Sequence, residues 1–309
     1  MTTTLLVLGA SGFVGRNLFA HGPYDIDGRA VQLVEPEAGL DLVDEDAVAA
    51  LVAAVRPDFV LHLAAISHVP QSFREPRRTL EVNVIGTLNV LTALRDAAFR
   101  GRMIYVSSGD VYGRVDDDDL PVTEAHLPRP RSPYAVSKLA AEALCAQWAI
   151  TEGLDVLIAR PFNHIGPGQG DQFVVSGFAR QVNAIAHGGA EPVVEVGDID
   201  VTRDFLDVRD VIAAYFRLFA RGRAGETYNV CSGVERSVRQ VLERLLALAG
   251  VHATTRAASG RMRPAEQRRM RGSSARLNRD TGWSPRVDLD DSLRAILAYW
   301  ENERCHAPP

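Results

Sequence analysis

A tyrosine and a lysine stand four residues apart in Tyr134-Ala135-Val136-Ser137-Lys138. On a helix that spacing places both on one face. A free phenol ionises near ~10 and carries protons poorly at neutral pH. A neighbouring ammonium favours phenolate, so Lys138 is expected to lower the Tyr134 value and make the pair a general acid or base. A second group, Ser107-Ser108-Gly109-Asp110-Val111-Tyr112-Gly113, directly follows an apolar run, Met103 to Val106. A hydroxyl at the end of a parallel strand stands where ligands bind in open sheets and can hydrogen-bond a substrate oxygen.

The third group is Gly9-Ala10-Ser11-Gly12-Phe13-Val14-Gly15, with glycines spaced G-x-x-G-x-x-G. Glycines alone can simply make a turn. Here they lie between the apolar run Leu5 to Leu8 and a helix that should carry Val14, Leu18 and Phe19 inward. Bare backbone and a helix N-terminus together form a pyrophosphate cradle. Glu35 follows Gly15 by twenty residues, where a carboxylate can hold ribose hydroxyls and repel a 2′-phosphate. Arg16 and Arg29 are cations that could reach such a phosphate, so the choice between NADH and NADPH stays open.

These groups need a scaffold. Strands are expected at Leu5 to Leu8, Ala30 to Val34, Phe59 to Leu63, Met103 to Val106 and Val156 to Ala159. Helices are expected between them at Asp46 to Val55, Leu80 to Ala97 and Ser132 to about Thr151. The last opens with a capping hydroxyl and a proline, Ser132-Pro133. Strand and helix alternate, which predicts a parallel sheet covered on both faces. After Pro161 the pattern loosens. Helices are expected at Phe173 to Ala186, Val208 to Arg221, Ser237 to Ala249 and Asp290 to Trp300, with short strands at Pro192 to Val196 and Thr227 to Cys231. The fold class is α/β: a Rossmann-type doubly wound sheet over residues 1–165, then a smaller C-terminal α/β substrate domain over 166–309. A segment near 200–232 should return to the first domain.

The composition excludes several function classes. With 309 residues, 46% hydrophobic and 24% charged, the chain reads as a soluble globular protein large enough for a big core. A net charge of -5 gives no reason to expect nucleic-acid binding. Cys145, Cys231 and Cys305 are odd in number, far apart and match no metal spacing, so reduced thiols in a cytoplasmic protein are expected. No run suits a signal peptide or a membrane span, and no membrane partner is expected. Asp116 to Asp119 could bind a metal, but four adjacent acids repel and point apart, so a solvated loop is expected and no metal site. Eight arginines lie between Arg256 and Arg279; most should be surface, with one or two free to clamp an anion.

With these motifs stand His62 to Ala65 (HLAA), Asn83 and Arg160 to Asn163 (RPFN). Together they resemble the extended short-chain dehydrogenases/reductases that act on nucleotide sugars. The phrases SSGDVYG, PYAVSKLAAE, ARPFNHIGPGQ, RDFLDVRDV and YNVCSG are most similar to those of the GDP-4-keto-6-deoxy-D-mannose reductases. The resemblance covers nearly the whole chain. It implies NAD(P)H-dependent reduction of a C4 keto group to give GDP-D-rhamnose, with Ser108, Tyr134 and Lys138 catalytic. It also implies a cofactor, NADPH or NADH, against Gly9, Ser11, Gly12, Phe13, Val14, Gly15, Glu35, Asp41, Leu42, Leu63, Ala64, Ala65, Asn83 and Pro161, with Tyr134 and Lys138 at its nicotinamide ribose. The GDP-sugar would meet Ser67, Ser108, Asp110, Asn163, Val174, Arg180 and Glu266. Arg203 and Arg263 would embrace its diphosphate as guanidinium forks; on residue grounds alone Arg203 could equally be a surface ion pair with Asp204 or Asp207.

Sugar-nucleotide 4,6-dehydratases of this family place acidic groups directly after the catalytic hydroxyl. Here Gly109 and Asp110 follow Ser108, which favours a simple reductase. Two alternatives share the motifs. One is a 4,6-dehydratase or 4-epimerase of the same family. The other is a non-catalytic dinucleotide sensor; such proteins tend to lose the tyrosine or lysine, and this chain keeps both. The resemblance further implies a homodimer built on the helices Leu80 to Ala97 and Ser132 to Thr151. The second of these carries Ala140, Ala141, Leu144, Cys145 and Trp148, an apolar surface available to a partner copy.

Overall fold

The computed structural model describes residues 2–258 and 267–306. In chain order its strands are β1 (Thr3–Leu8), β2 (Tyr24–Ile26), β3 (Arg29–Val34), β4 (Phe59–His62), β5 (Arg102–Val106) and β6 (Asp155–Pro161). They continue with β7 (Asn163–Ile165), β8 (Val193–Val196), β9 (Thr202–Asp207), β10 (Thr227–Val230), β11 (Glu235–Ser237) and β12 (Thr254–Ala257). The helices are α1 (Phe13–Ala20), α2 (Glu45–Val55), α3 (Val69–Arg74), α4 (Pro76–Leu80), α5 (Gly86–Asp96) and α6 (Pro133–Thr151). After them come α7 (Val174–Ala186), α8 (Val208–Arg221), α9 (Val238–Ala249), α10 (Ala275–Thr281) and α11 (Leu289–His306).

The main sheet has seven strands in the order β10-β6-β5-β4-β1-β3-β2. All neighbours are parallel except β2, which pairs antiparallel with β3 at the edge. Both faces are covered. Leu5, Val7, Leu61 and Ile104 meet α8 on one side, while Leu6, Leu8, Val60 and Met103 meet α2, α5 and α6 on the other. The strand order reverses direction at β1, whose neighbours are β3 and β4. In open α/β sheets the ligand crevice lies beyond the strand ends at such a switch point. A third core gathers α7, α9 and α11 through Phe178, Val182, Val241, Leu245 and Leu293. Beside it lie two small sheets, β11-β9-β7 and β12-β8.

Besides short elements that the sequence does not announce, such as β2, β7, β11 and β12, three differences from the sequence expectation stand out. The single helix expected from Leu80 to Ala97 is α4, then a π-helical turn at Glu81–Ile85, then α5. The wide turn carries Asn83, whose side chain leaves its own helix to bond the backbone of Ile66, at 2.8 and 3.1 Å, and Ser137 Oγ at 2.9 Å. The strand β9, which reaches the cleft through Arg203, also has no expected counterpart. Its Asp204 is buried, and burial raises its pKa although it accepts from Ser232 N and Oγ, Gly233 N and Gly272 N. Finally, Ala141, Cys145 and Trp148 of α6 are buried in the chain's own core rather than left for a partner.

Candidate functional site

The C-terminal ends of β1, β3, β4, β5 and β6 open into one cleft of about 1230 Å³. They bring Gly9, Glu35, Leu63, Ser107 and Pro161 to its wall. The opposite wall comes from α7 and β9, with Val174, Phe178 and Arg203.

The floor at β1 is the glycine turn. Gly9 has φ +91°, and an added Cβ there would lie 2.6 Å from Ala64 N. At Gly15 a Cβ would lie 2.3 Å from Ala10 O, so only glycine lets α1 pack this closely on the turn. Gly12 is the N-cap of α1 and is exposed to the cleft. Free backbone N–H groups at that helix start, beside a bare Cα, suit a pyrophosphate. The arrangement therefore fits a dinucleotide. Glu35 and Glu37 line the same end of the cleft. Arg16 is also on the wall, but its guanidinium donates to Ser11 O at 2.7 Å and Gly168 O at 2.8 Å. Arg29 is exposed at the start of β3 and is not on the cleft wall.

Tyr134 and Lys138 share one face of α6, which Ser132 caps through Ala135 N at 3.1 Å. Both side chains are buried at the base of the cleft. The Ser108 hydroxyl stands near enough to the Tyr134 phenol to lower its pKa. Ser108 Oγ also accepts from Asp110 N at 3.1 Å, opening the short helical turn Gly109–Tyr112. The sequence expectation for the phenol is reversed: its pKa is raised. Burial pushes it up most, and the Asp110 carboxylate adds to this against the opposing influence of the Ser108 hydroxyl. Lys138 is engaged elsewhere. Its ammonium donates to Val106 O at 2.8 Å and lies 5.0 Å from the centre of the Tyr105 ring. Burial lowers it to about 8. His62, beneath it, bonds Thr87 Oγ1 at 3.0 Å and is pushed down to about 3 by burial and by Lys138.

The other expected residues divide clearly. Ser11, Phe13, Val14, Leu42, Ala64, Ala65, Ser67, Asp110, Asn163, Val174 and Arg203 line the cleft. Asp41, Asn83 and Arg180 do not. Asp41 is held by Arg78 at 2.8 Å, and Arg180 by Asp171 at 3.0 Å. Asn83 is buried behind the wall, where it fixes the loop at Ile66 and α6 at Ser137. Arg263 and Glu266 lie outside the described residues. Asp207 pairs with Arg209 and Asp204 with backbone and Ser232, while Arg203 Nη1 donates to Thr202 O at 2.6 Å. His68, Gln169, Asp198 and Met270 also line the cleft. No local pattern marks them; the glycines at Gly166, Gly168 and Gly170 are the one signal that the chain turns there. The acidic run stays at the surface, with Asp116 near Arg114 and Asp117 near Arg269. Among the described residues no group of three His, Cys, Asp or Glu side chains could hold a metal ion, and no helix is long and apolar enough to cross a membrane.

The sequence model of the family described as GDP-mannose 4,6 dehydratase matches residues 34–296. A Pseudomonas aeruginosa protein named GDP-6-deoxy-D-mannose reductase is 51% identical over 307 residues, covering 98% of each chain. A GDP-6-deoxy-D-talose 4-dehydrogenase from Aggregatibacter actinomycetemcomitans is 32% identical over 247 residues, 78% of each chain. The solved structure of RMD from Pseudomonas aeruginosa complexed with NADPH superposes with a TM-score of 0.92 at 50% identity, covering 97% of this chain and 99% of that one.

Proposed function

Since the chain belongs to the family described as GDP-mannose 4,6 dehydratase, we propose that it is an NAD(P)H-dependent reductase of the C4 keto group of GDP-4-keto-6-deoxy-D-mannose, forming GDP-D-rhamnose. The observation that carries this reading is the joining of Tyr134, Ser108 and Lys138 at the base of a cleft whose other end is a pyrophosphate cradle. The named reductase at 51% identity supports the substrate.

A reduced nicotinamide bound along the glycine turn would supply the hydride. The protein's part is to hold the ketone and deliver a proton to the oxygen that becomes an alkoxide. Burial and Asp110 keep the Tyr134 phenol protonated, which is the form a proton donor needs. Ser108, beside that phenol, would offer a second hydrogen bond to the same oxygen. Lys138, lowered to about 8, is a stronger acid than the raised phenol, so it can return a proton to the phenolate after each turnover. Arg203, on the opposite wall, would hold the diphosphate with a charge-assisted fork. Asp110 and Asn163 would contact the sugar. NADPH or NADH would lie along Gly9 to Gly15, Glu35 and Ala64. The division of labour then follows the cores: residues 1–165, with β10 and α8, for the dinucleotide, and mainly 166–309 for the nucleotide sugar.

Gly109 supports reduction over dehydration. A Cβ there would stand 3.0 Å from the Phe162 ring, so an acid at this position has no room without moving Phe162. We place the protein in the cytoplasm as a homodimer. Exposed apolar side chains near the proposed interface include Phe73, Leu80, Ile85, Val136 and Ile150, on α3, α4, the π-helical turn and, for the last two, α6. Light scattering that finds only a monomer-sized species at micromolar concentration would overturn the dimer. The reaction is tested by adding GDP-4-keto-6-deoxymannose to enzyme and NADPH or NADH and following nicotinamide absorbance. Stoichiometric cofactor oxidation is expected. Turnover of the sugar with no net oxidation would point to an epimerase instead.

A further inference from the structure

The stripe on α6 that carries Tyr134 and Lys138 continues one turn further to Glu142, and all three side chains are buried. Glu142 touches no cleft residue by hydrogen bond. Both its oxygens are taken by Arg160 of β6, from Nε at 2.9 Å and Nη2 at 2.6 Å. The third arm of the same guanidinium, Nη1, donates to the Tyr112 hydroxyl at 3.0 Å, and the guanidinium carbon lies 4.9 Å from the centre of the Tyr112 ring. Tyr112 OH in turn donates to Asn229 Oδ1 of β10 at 2.7 Å, and Asn229 Nδ2 to Val122 O at 3.1 Å. One buried fork thus joins the helix of the proton donor, the strand that ends in Pro161, and the last residue of the turn that begins at Ser108.

That turn is short and internally bonded, Val111 N to Ser108 O at 3.3 Å and Gly113 N to Asp110 O at 3.1 Å. Fixing its Tyr112 end therefore fixes its Ser108 end. A buried ion pair is a poor source of stability, because desolvation offsets most of its attraction. A fully satisfied buried network does hold its members in one arrangement. We propose that Arg160, anchored on Glu142 and Tyr112, is a positioning residue that sets the distance between the Ser108 hydroxyl and the Tyr134 phenol. It acts through those two groups and touches neither substrate nor cofactor. The proposal rests on Ser108 and Tyr134 working on the same carbonyl oxygen.

Tyr112→Phe is the selective probe. It keeps the ring over Arg160 and removes only the hydroxyl between Arg160 and Asn229. Arg160→Lys is a second probe that keeps the charge for Glu142 but loses the fork. The experiment is a double-mutant cycle on the intact enzyme, combining Ser108→Ala with each probe and reading kcat per folded protein, KM and melting temperature. Each probe alone should lower kcat about tenfold, since small displacements of positioned groups are costly. KM for the GDP-sugar should stay within about twofold. In the Ser108→Ala background neither probe should lower kcat further. Additive losses would overturn the proposal, because Arg160 would then act by a route that does not pass through Ser108. So would a wild-type kcat in both probes, or a loss explained wholly by unfolded protein. A wild-type kcat for Ser108→Ala alone would instead remove the reading of Ser108 on which the proposal rests.

Discussion

Two glycine substitutions in the turn after β1 should have separable effects. At Gly15, an added Cβ would stand 2.3 Å from Ala10 O and 2.6 Å from Ala10 C, about 1.1 and 0.8 Å inside ordinary contact at 3.4 Å. Both partners are backbone, so α1 itself must move. Overpacking of that kind costs roughly 1–3 kcal/mol. At Gly12 the only close neighbour of a Cβ is Gly9 O at 3.2 Å, and φ is an ordinary -74°. Gly12→Ala should therefore cost the unliganded fold no more than about 1 kcal/mol. Its methyl, however, projects where the pyrophosphate must approach the backbone. Cofactor affinity should fall on the order of a hundredfold, about 2.7 kcal/mol. Gly15→Ala should lose both stability and affinity. Urea unfolding of the unliganded protein and titration of NADPH fluorescence measure the two quantities. If Gly12→Ala binds NADPH as the wild type does, the pyrophosphate is not seated on this turn and the cleft has been read in the wrong direction.

Tyr134→Phe should reduce turnover on the order of a hundredfold or more while NADPH affinity changes little; near-normal turnover would refute its role as proton donor. Arg203→Ala should raise KM for the GDP-sugar roughly tenfold, about 1.4 kcal/mol, without changing cofactor affinity, and unchanged kinetics would return Arg203 to a surface role. Activity should fall as pH rises through about 8. Lys138, faced by Tyr105, Cys145, Glu142 and His62, loses its proton there, whereas the Tyr134 phenol, raised by burial and Asp110, does not. The alkaline limb should vanish in the residual activity of Lys138→Met, and a limb that persists would assign it to another group.

The parts of this site that a local pattern encodes were legible in the sequence. The glycine turn, the Ser132-capped helix with Tyr134 and Lys138, and Ser108 after a buried strand each follow from spacing within a few residues. What depends on distant partners was not. The phenol pKa is set by burial and by Asp110 from another segment, so the local Tyr-Lys spacing gave the wrong sign. The strand β9 hides because Asp204 and Asp207 look like surface acids until Ser232, Gly272 and Ser292 are brought to them. The π-helical turn carries Asn83 to Ile66 and Ser137, neither of which is a sequence neighbour. Part of the apolar surface of α6 reads as available to a partner copy, yet Cys145 and Trp148 fill the chain's own core.

The central claim is that this cleft moves hydride to C4 of the sugar while Tyr134 protonates the oxygen there. It is tested most directly with NADPH or NADH deuterated at the transferable position of the nicotinamide and GDP-4-keto-6-deoxymannose as substrate. NMR of the product should show one deuterium, at C4, in GDP-D-rhamnose, with one cofactor oxidised per sugar. Deuterium retained on the cofactor, or a product altered elsewhere with C4 still a ketone, would contradict it.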